Sequence, residues 1–211
     1  MKIAIINYGY GNLHSVNQAF QKANKDFDLN AKIEVTNKPN EIDTADKIVL
    51  PGVGSFFDCL SAVKSIDGIL ESMQDQVINK QKKFMGICVG MQLLADIGYE
   101  NGENEGFQWI SGSVEKIQTQ PGYQIPHMGW NNVNQVKNHP LWYKIDNNSR
   151  FYSVHSYYVN PTDTSCVMGT TEYGQLFASA IAIDKIFAVQ FHPEKSQSDG
   201  LQLLRNFVEW T

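Results

Sequence analysis

Residues 82–95 read KKFMGICVGMQLLA. The apolar run Phe84–Ile87 reads as the end of a buried strand, and Met91–Ala95 as the start of a helix. One cysteine stands at the corner with a glycine two positions to either side, the G-x-nucleophile-x-G pattern of an elbow. A sharp strand-to-helix turn leaves no room for side chains at those two positions, so glycine fits at both. Such a turn pushes the Cys88 sulfur out of the sheet and onto a helix N-terminus, where peptide dipoles favour thiolate over thiol. Taken alone, the pattern serves a buried cysteine in a Gly-flanked turn equally well.

A second segment, Phe187-Ala188-Val189-Gln190-Phe191-His192-Pro193-Glu194-Lys195-Ser196, bears on that choice. An apolar strand runs straight into His-Pro-Glu. A cysteine nucleophile needs a base within reach, and the base needs a third group to hold its tautomer. His192 and Glu194 suit those roles, because residues i and i+2 of extended backbone face one side. Pro193 restrains the backbone between them and biases His192 toward the extended region. A histidine at a strand end is commonly structural; the carboxylate at i+2 and the cysteine elbow favour catalysis.

The 211 residues suffice for one full core, so a single domain over 1–211 is expected. With 42% hydrophobic and 18% charged residues the composition is that of a soluble globular protein. A formal net charge of −5 argues against nucleic acid or an anionic membrane as the main partner. The apolar run at Ile3–Ile6 is too short for a signal peptide or a membrane span. Three cysteines, Cys59, Cys88 and Cys166, have neither paired nor metal-type spacing, as expected of free thiols in a reducing cytoplasm.

Taken in order, Lys2–Ile6 reads as a buried strand, Asn7–Asn12 as a glycine turn without dinucleotide spacing, and the segment from Leu13 as a helix. Strands follow at Ala31–Thr36 and Asp46–Leu50, with helices at Cys59–Val63 and from Ile69 to about Lys80. Pro51-Gly52-Val53-Gly54 caps the third strand. Its glycines either form a plain βα turn or expose N–H groups to a developing oxyanion. Beyond the elbow, Tyr99–Gly106 reads as an acidic surface loop. The second half changes to short strand-like runs at Ser113–Gln118, Trp130–Val136, Arg150–Val159, Ser165–Thr171, Leu176–Ile183 and Ile186–Phe191. Asp199–Trp210 closes as a helix. The expected class is α/β: a mostly parallel, doubly wound sheet with flanking helices and an antiparallel β addition in the second half.

Together PGVGSF (Pro51–Phe56), GICVGMQLL (Gly86–Leu94), PHMGWN (Pro126–Asn131), YSVHSY (Tyr152–Tyr157) and QFHPEKS (Gln190–Ser196) resemble the class I (triad) glutamine amidotransferases. PHMGWN and the opening YGYGNLHSV (Tyr8–Val16) resemble most the glutaminase subunits of imidazole glycerol phosphate synthases. The resemblance runs from Ile3 to Phe207. It implies that Cys88 attacks the glutamine carboxamide, His192 acts as base and then acid, and Glu194 orients His192. It implies oxyanion donors at the Gly52–Val53 peptide and at Val89, and a glutamine site around Gln92, Glu100, Ser156 and Tyr157. It places Asn12, His127, Trp130, Tyr152 and Lys195 at or near the face that meets a partner. That partner would be a (β/α)₈ cyclase subunit, joined in a heterodimer and receiving ammonia to make imidazole glycerol phosphate and aminoimidazole carboxamide ribotide in histidine biosynthesis. No metal and no organic cofactor are implied.

Asn7, Gln108, Ala188 and Gln197 depart from the family pattern without touching the triad. They leave room for a paralogous glutaminase that feeds a sugar amidotransfer step in surface-polysaccharide synthesis. A non-catalytic scaffold would not need Cys88, His192 and Glu194 together, and a cysteine peptidase would give PGVGSF and PHMGWN no role.

Overall fold

The computed structural model describes residues 1–118 and 121–211. The strands are β1 (Lys2–Ile6), β2 (Lys32–Thr36), β3 (Lys47–Gly52), β4 (Lys83–Cys88), β5 (Ala95–Gly98), β6 (Asn104–Glu105) and β7 (Ile110–Lys116). They continue with β8 (His127–Asn132), β9 (Asn134–Gln135), β10 (Arg150–His155), β11 (Tyr157–Pro161), β12 (Val167–Glu172), β13 (Leu176–Ile183) and β14 (Ile186–Val189). The helices are α1 (Leu13–Asp26), α2 (Pro39–Asp43), α3 (Phe56–Ser65), α4 (Ile69–Gln74, running on in a wider turn to Asn79), α5 (Val89–Gln92) and α6 (Gln197–Glu209).

The large sheet has the order β2-β1-β3-β4-β14-β13-β12-β9. Its first five strands are parallel and the last three antiparallel. Ile3–Ile6, Ile48–Leu50, Phe84–Ile87 and Ile186–Val189 are all buried, so these strands read as continuous apolar runs, as a sheet covered on both faces requires. α1 buries Val16, Ala19, Phe20 and Ala23, and it packs on α6 through the edge-to-face pair Phe20–Phe207. The α3 N-terminus is capped by Ser55, whose hydroxyl accepts from the Asp58 N–H. At the far end of the sheet the buried Lys47 ammonium donates to the carbonyls of Phe207, Val208 and Trp210 at the C-terminus of α6. Lys47 thereby ties the final helix to β3.

The expected α/β class stands, and three local expectations change. Met91–Ala95 does not continue as a helix: α5 is a single turn, and Ala95 starts β5, which runs parallel to β7. The carbonyls that would extend the helix are taken by the following loop. Leu93 O accepts from Phe107 N, Leu94 O from Trp109 N and Ile110 N, and Ala95 O from Gln108 N. The run Arg150–Val159 is two strands, because the chain changes sheets at Ser156. β10 pairs with β8, whereas β11 joins the four-stranded sheet β11-β7-β5-β6. Trp130–Val136 likewise splits into β8, which already begins at His127, and β9.

Candidate active site

Cys88 ends β4 with φ 54° and ψ −112°, a strained backbone for a residue with a Cβ. Two glycines make that corner possible. A Cβ on Gly86 would lie 2.7 Å from Gly90 O, and one on Gly90 would lie 1.9 Å from Leu50 O. Gly52, opposite Cys88 in the β3–β4 register, backs the elbow; its Cβ would come within 2.8 Å of Tyr8 Oη and the Val89 side chain. The Tyr8 hydroxyl donates to Pro51 O at 2.7 Å, and burial keeps it protonated by raising its pKa. With α5 only four residues long, the helix dipole expected to act on Cys88 is small.

The charge that faces the sulfur comes from His192 instead. His192 follows β14, and its N–H donates to Tyr152 O at 2.8 Å. Its Nδ1 lies 2.8 Å from Glu194 Oε1, and both side chains are about 1% exposed. Nε2 is buried and has no oxygen or nitrogen partner, leaving it for Cys88. Burial pushes the imidazole pKa down, but the neighbouring Cys88 sulfur, followed by the Glu194 carboxylate, raises it above the ordinary range. The geometry suits a nucleophile, a base and an orienting carboxylate, in a resting arrangement where the first hydrogen bond is still open.

Next to the sulfur lies a cavity of about 230 Å³, lined by Val53, Gly54, Val89, Gln92, Glu100, Pro126, Val154, His155, Ser156 and Tyr157 besides Cys88. That is smaller than drug-sized pockets and suits a free amino acid. Cys88, Val53, Val89, Gln92, Glu100, Ser156 and Tyr157 thus come together, with Gly52 directly behind. Glu100 does more than meet water: its Oε2 accepts from the Phe56 N–H at 2.6 Å, at the start of α3. Gln92 Nε2 donates to Tyr157 O at 3.0 Å and to Gln190 Oε1 at 3.2 Å.

His127, expected at or near the partner face, is not itself a surface residue. It is 2% exposed, stacked on Tyr173 and hydrogen-bonded to His155 at 3.0 Å, so it lies beneath the surface. Asn131 Nδ2 donates to His127 Nε2, so His127 carries its proton on Nδ1 and donates it to His155 Nε2. His155 in turn donates from Nδ1 to Tyr157 O at 2.9 Å. One pair of neutral tautomers satisfies every bond and holds the cavity wall at Tyr157. The exposed residues form a cluster. Trp130 meets Tyr152 edge-on at 6.2 Å, and Lys195 Nζ lies 5.6 Å over the Tyr152 ring. Asn12 is half-buried at the start of α1, whose first turn borders a surface cleft shared with Pro193 and Lys195.

Composition could not reveal the roles of Tyr8, Pro126 and Val154. Gln190 carried a signal: it stands two residues before His192, as Glu194 stands two after it, in the segment that follows β14. Among the described residues, no three of His, Cys, Asp and Glu gather as a metal site.

The histidine pair gives an acid limit. Burial lowers the pKa of His127 to about 4 and that of His155, also beside His127, to about 3, from 6.5. The unfolded chain then binds more protons at these two sites below pH 6.5, so the pair's contribution to stability is full above 6.5 and is lost as pH falls toward 4. Each histidine contributes at most roughly 3 kcal/mol to that loss. His139, lowered to about 4 by burial, acts in the same direction. His192, raised, is protonated in both states below pH 6.5 and cancels across the window. Urea midpoints between pH 7 and 4 should fall steeply, and a flat profile would mean the pair is not held neutral.

The sequence profile of the family described as glutamine amidotransferase class-I matches residues 4–210. The chain is 45% identical over 210 residues to imidazole glycerol phosphate synthase subunit HisH of Acinetobacter baylyi, covering 99% of this chain and 98% of that one. It is 41% identical over 214 residues to the subunit of the same name from Mesorhizobium japonicum, covering 100% and 99%. Among solved structures, a glutamine amidotransferase superposes with TM-score 0.71 at 16% identity, covering 98% of this chain and 97% of that one. Another, from Thermotoga maritima, gives 0.61 at 17%, covering 92% and 76%. No helix among the described residues is long and apolar enough to cross a membrane.

Proposed function

The chain belongs to the class-I glutamine amidotransferase family, and on that premise we propose that it is the glutaminase subunit of an imidazole glycerol phosphate synthase, producing ammonia from L-glutamine for a cyclase partner. The observation that carries the reading is a buried Cys88–His192–Glu194 set opening on a cavity the size of one amino acid.

Glutamine enters with its α-ammonium toward Glu100 and its carboxamide against the sulfur. Cys88 Sγ attacks the carboxamide carbon, and the carbonyl electron pair moves to oxygen near the backbone N–H groups of Val53 and Val89. Collapse re-forms the carbonyl and breaks the C–N bond while His192 Nε2 gives its proton to nitrogen, so ammonia leaves and a γ-glutamyl thioester remains. Neutral His192 then takes a proton from water as the water oxygen attacks the thioester. The C–S bond breaks, Cys88 leaves as thiolate, and glutamate departs with His192 protonated again. Glu194 holds the imidazole tautomer throughout. The reaction calls for neither metal nor organic cofactor.

Free ammonia protonates in bulk water, so the product is best handed over inside a sealed heterodimer. The cluster of Trp130, Tyr152 and Lys195, with Asn12 on the neighbouring helix, is the face we assign to a (β/α)₈ cyclase. Partner binding would act on the Gly52–Val53 peptide, which lies between the Tyr8 turn and the elbow. A single assay tests the pairing: glutamate release with and without a histidine-pathway cyclase subunit and its ribonucleotide ligand. Strong stimulation that vanishes in Cys88→Ala is the expected result. Cys88-dependent hydrolysis indifferent to that cyclase would overturn the pairing and favour a paralogue serving sugar amidotransfer in surface-polysaccharide synthesis.

A further inference from the structure

Gln190 is fully buried directly after β14, and neither the triad nor the glutamine site uses it. Its backbone N–H is already committed to Ser179 O at 2.9 Å. Its side chain joins two elements of the site: Oε1 accepts from Gln92 Nε2 at 3.2 Å, and Nε2 reaches Cys88 Sγ at 3.6 Å.

The direction of this chain of bonds follows from one atom. Tyr157 O can only accept, and it does so from His155 Nδ1 and from Gln92. Gln92 must therefore turn its amide nitrogen inward, and the second hydrogen of that nitrogen faces Gln190. Two amide nitrogens cannot face each other, so Gln190 presents oxygen to Gln92 and nitrogen to the sulfur. We infer that Gln190 is a fixed hydrogen-bond donor to the Cys88 sulfur, oriented through Gln92 by the Tyr157 carbonyl, and that it stabilises the thiolate used in attack and regenerated on thioester hydrolysis.

This inference rests on Cys88 being the glutaminase nucleophile. A thiol needs no such donor, since it can point its weak S–H at Val154 O, 4.0 Å away. A thiolate in this dry corner has His192 on one side and needs a second donor on the other. An acceptor in place of the Gln190 nitrogen would oppose the charge.

The experiment compares wild type with Gln190→Met, which keeps length and removes the donor, and Gln190→Glu, which puts a carboxylate against the sulfur. Alkylation of Cys88 by iodoacetamide, followed by intact mass against pH, reads the thiolate without depending on glutamine turnover. His192, Tyr8 and Cys59 are the titratable groups around the sulfur, with Glu100 and His155 across the cavity, and both variants leave them in place. In Gln190→Met the midpoint of alkylation should move up by about one pH unit, and kcat should fall about tenfold with little change in KM. Gln190→Glu should shift the midpoint further. Near-UV circular dichroism identifies folded protein. If Gln190→Met does not fold, Gln92→Met, which frees the Gln190 amide to rotate, should shift the same midpoint upward by less. An unmoved midpoint in a folded variant overturns the assignment and leaves Gln190 as packing. Loss of turnover with no alkylation of Cys88 in the wild type overturns the glutaminase reading instead.

Discussion

Cys88→Ala should abolish glutamate release while the protein stays folded and still binds glutamine. The substitution removes only the sulfur at a corner whose backbone is set by Gly86, Gly90 and the β3–β4 register, none of which it changes. Loss of a covalent nucleophile costs kcat about 10⁴-fold or more, and the residual rate reflects binding and oxyanion contacts alone. His192→Asn should cost a similar factor. The double variant should be no slower than either single one, because the two groups act as one unit. Glutamine should still raise the melting temperature of Cys88→Ala, since Gln92, Glu100 and the Tyr157 wall remain. Coupled glutamate detection and thermal shift read both outcomes. A Cys88→Ala protein that retained even a hundredth of the wild-type rate would remove Cys88 from the mechanism.

Gly90→Ala should damage the fold more than any other small change at the site. The added methyl would sit 1.9 Å from Leu50 O, a backbone atom in the middle of a buried parallel strand that cannot step aside without breaking its pairing to β4. The cost should be about 4 kcal/mol, lowering Tm by roughly 10 °C in a chain of this size. Gly102→Ala makes the control. Gly102, unlike Gly90, has a left-handed φ of 110°, and nothing lies within 4 Å of its Cβ. That change should cost only about 1 kcal/mol of backbone strain. Equal melting temperatures for the two variants would mean that β3 and the elbow do not approach as closely as the geometry requires.

The parallel core was legible because β1, β3, β4 and β14 are buried on both faces, which forces continuous apolar runs that no exposed element shows. The elbow was legible for a steric reason, since only glycine fits where Gly86 and Gly90 touch their neighbours. The His192–Glu194 contact was legible from the His-Pro-Glu spacing, although the chain makes it through a 3-10 turn at Pro193–Lys195 and not through the extended backbone expected. α5 was not: the apolar run Met91–Ala95 is buried whether it coils or extends. Its shortness is decided by Phe107, Gln108, Trp109 and Ile110, which take the carbonyls a helix would have used. The resemblance put His127 at or near the partner face, and only the fold, through its bond to His155, 28 positions along the chain, shows it to be buried wiring.

The sequence by itself determined the fold class and picked out the Cys88, His192 and Glu194 set proposed as nucleophile, base and carboxylate, because each rests on spacing within a few residues. Tertiary structure alone decided which donor faces the sulfur, which tautomers the histidine pair adopts and where the chain changes sheets at Ser156. Those outcomes depend on which hydrogen-bond partner wins between segments up to a hundred residues apart, and local periodicity carries no information about that competition.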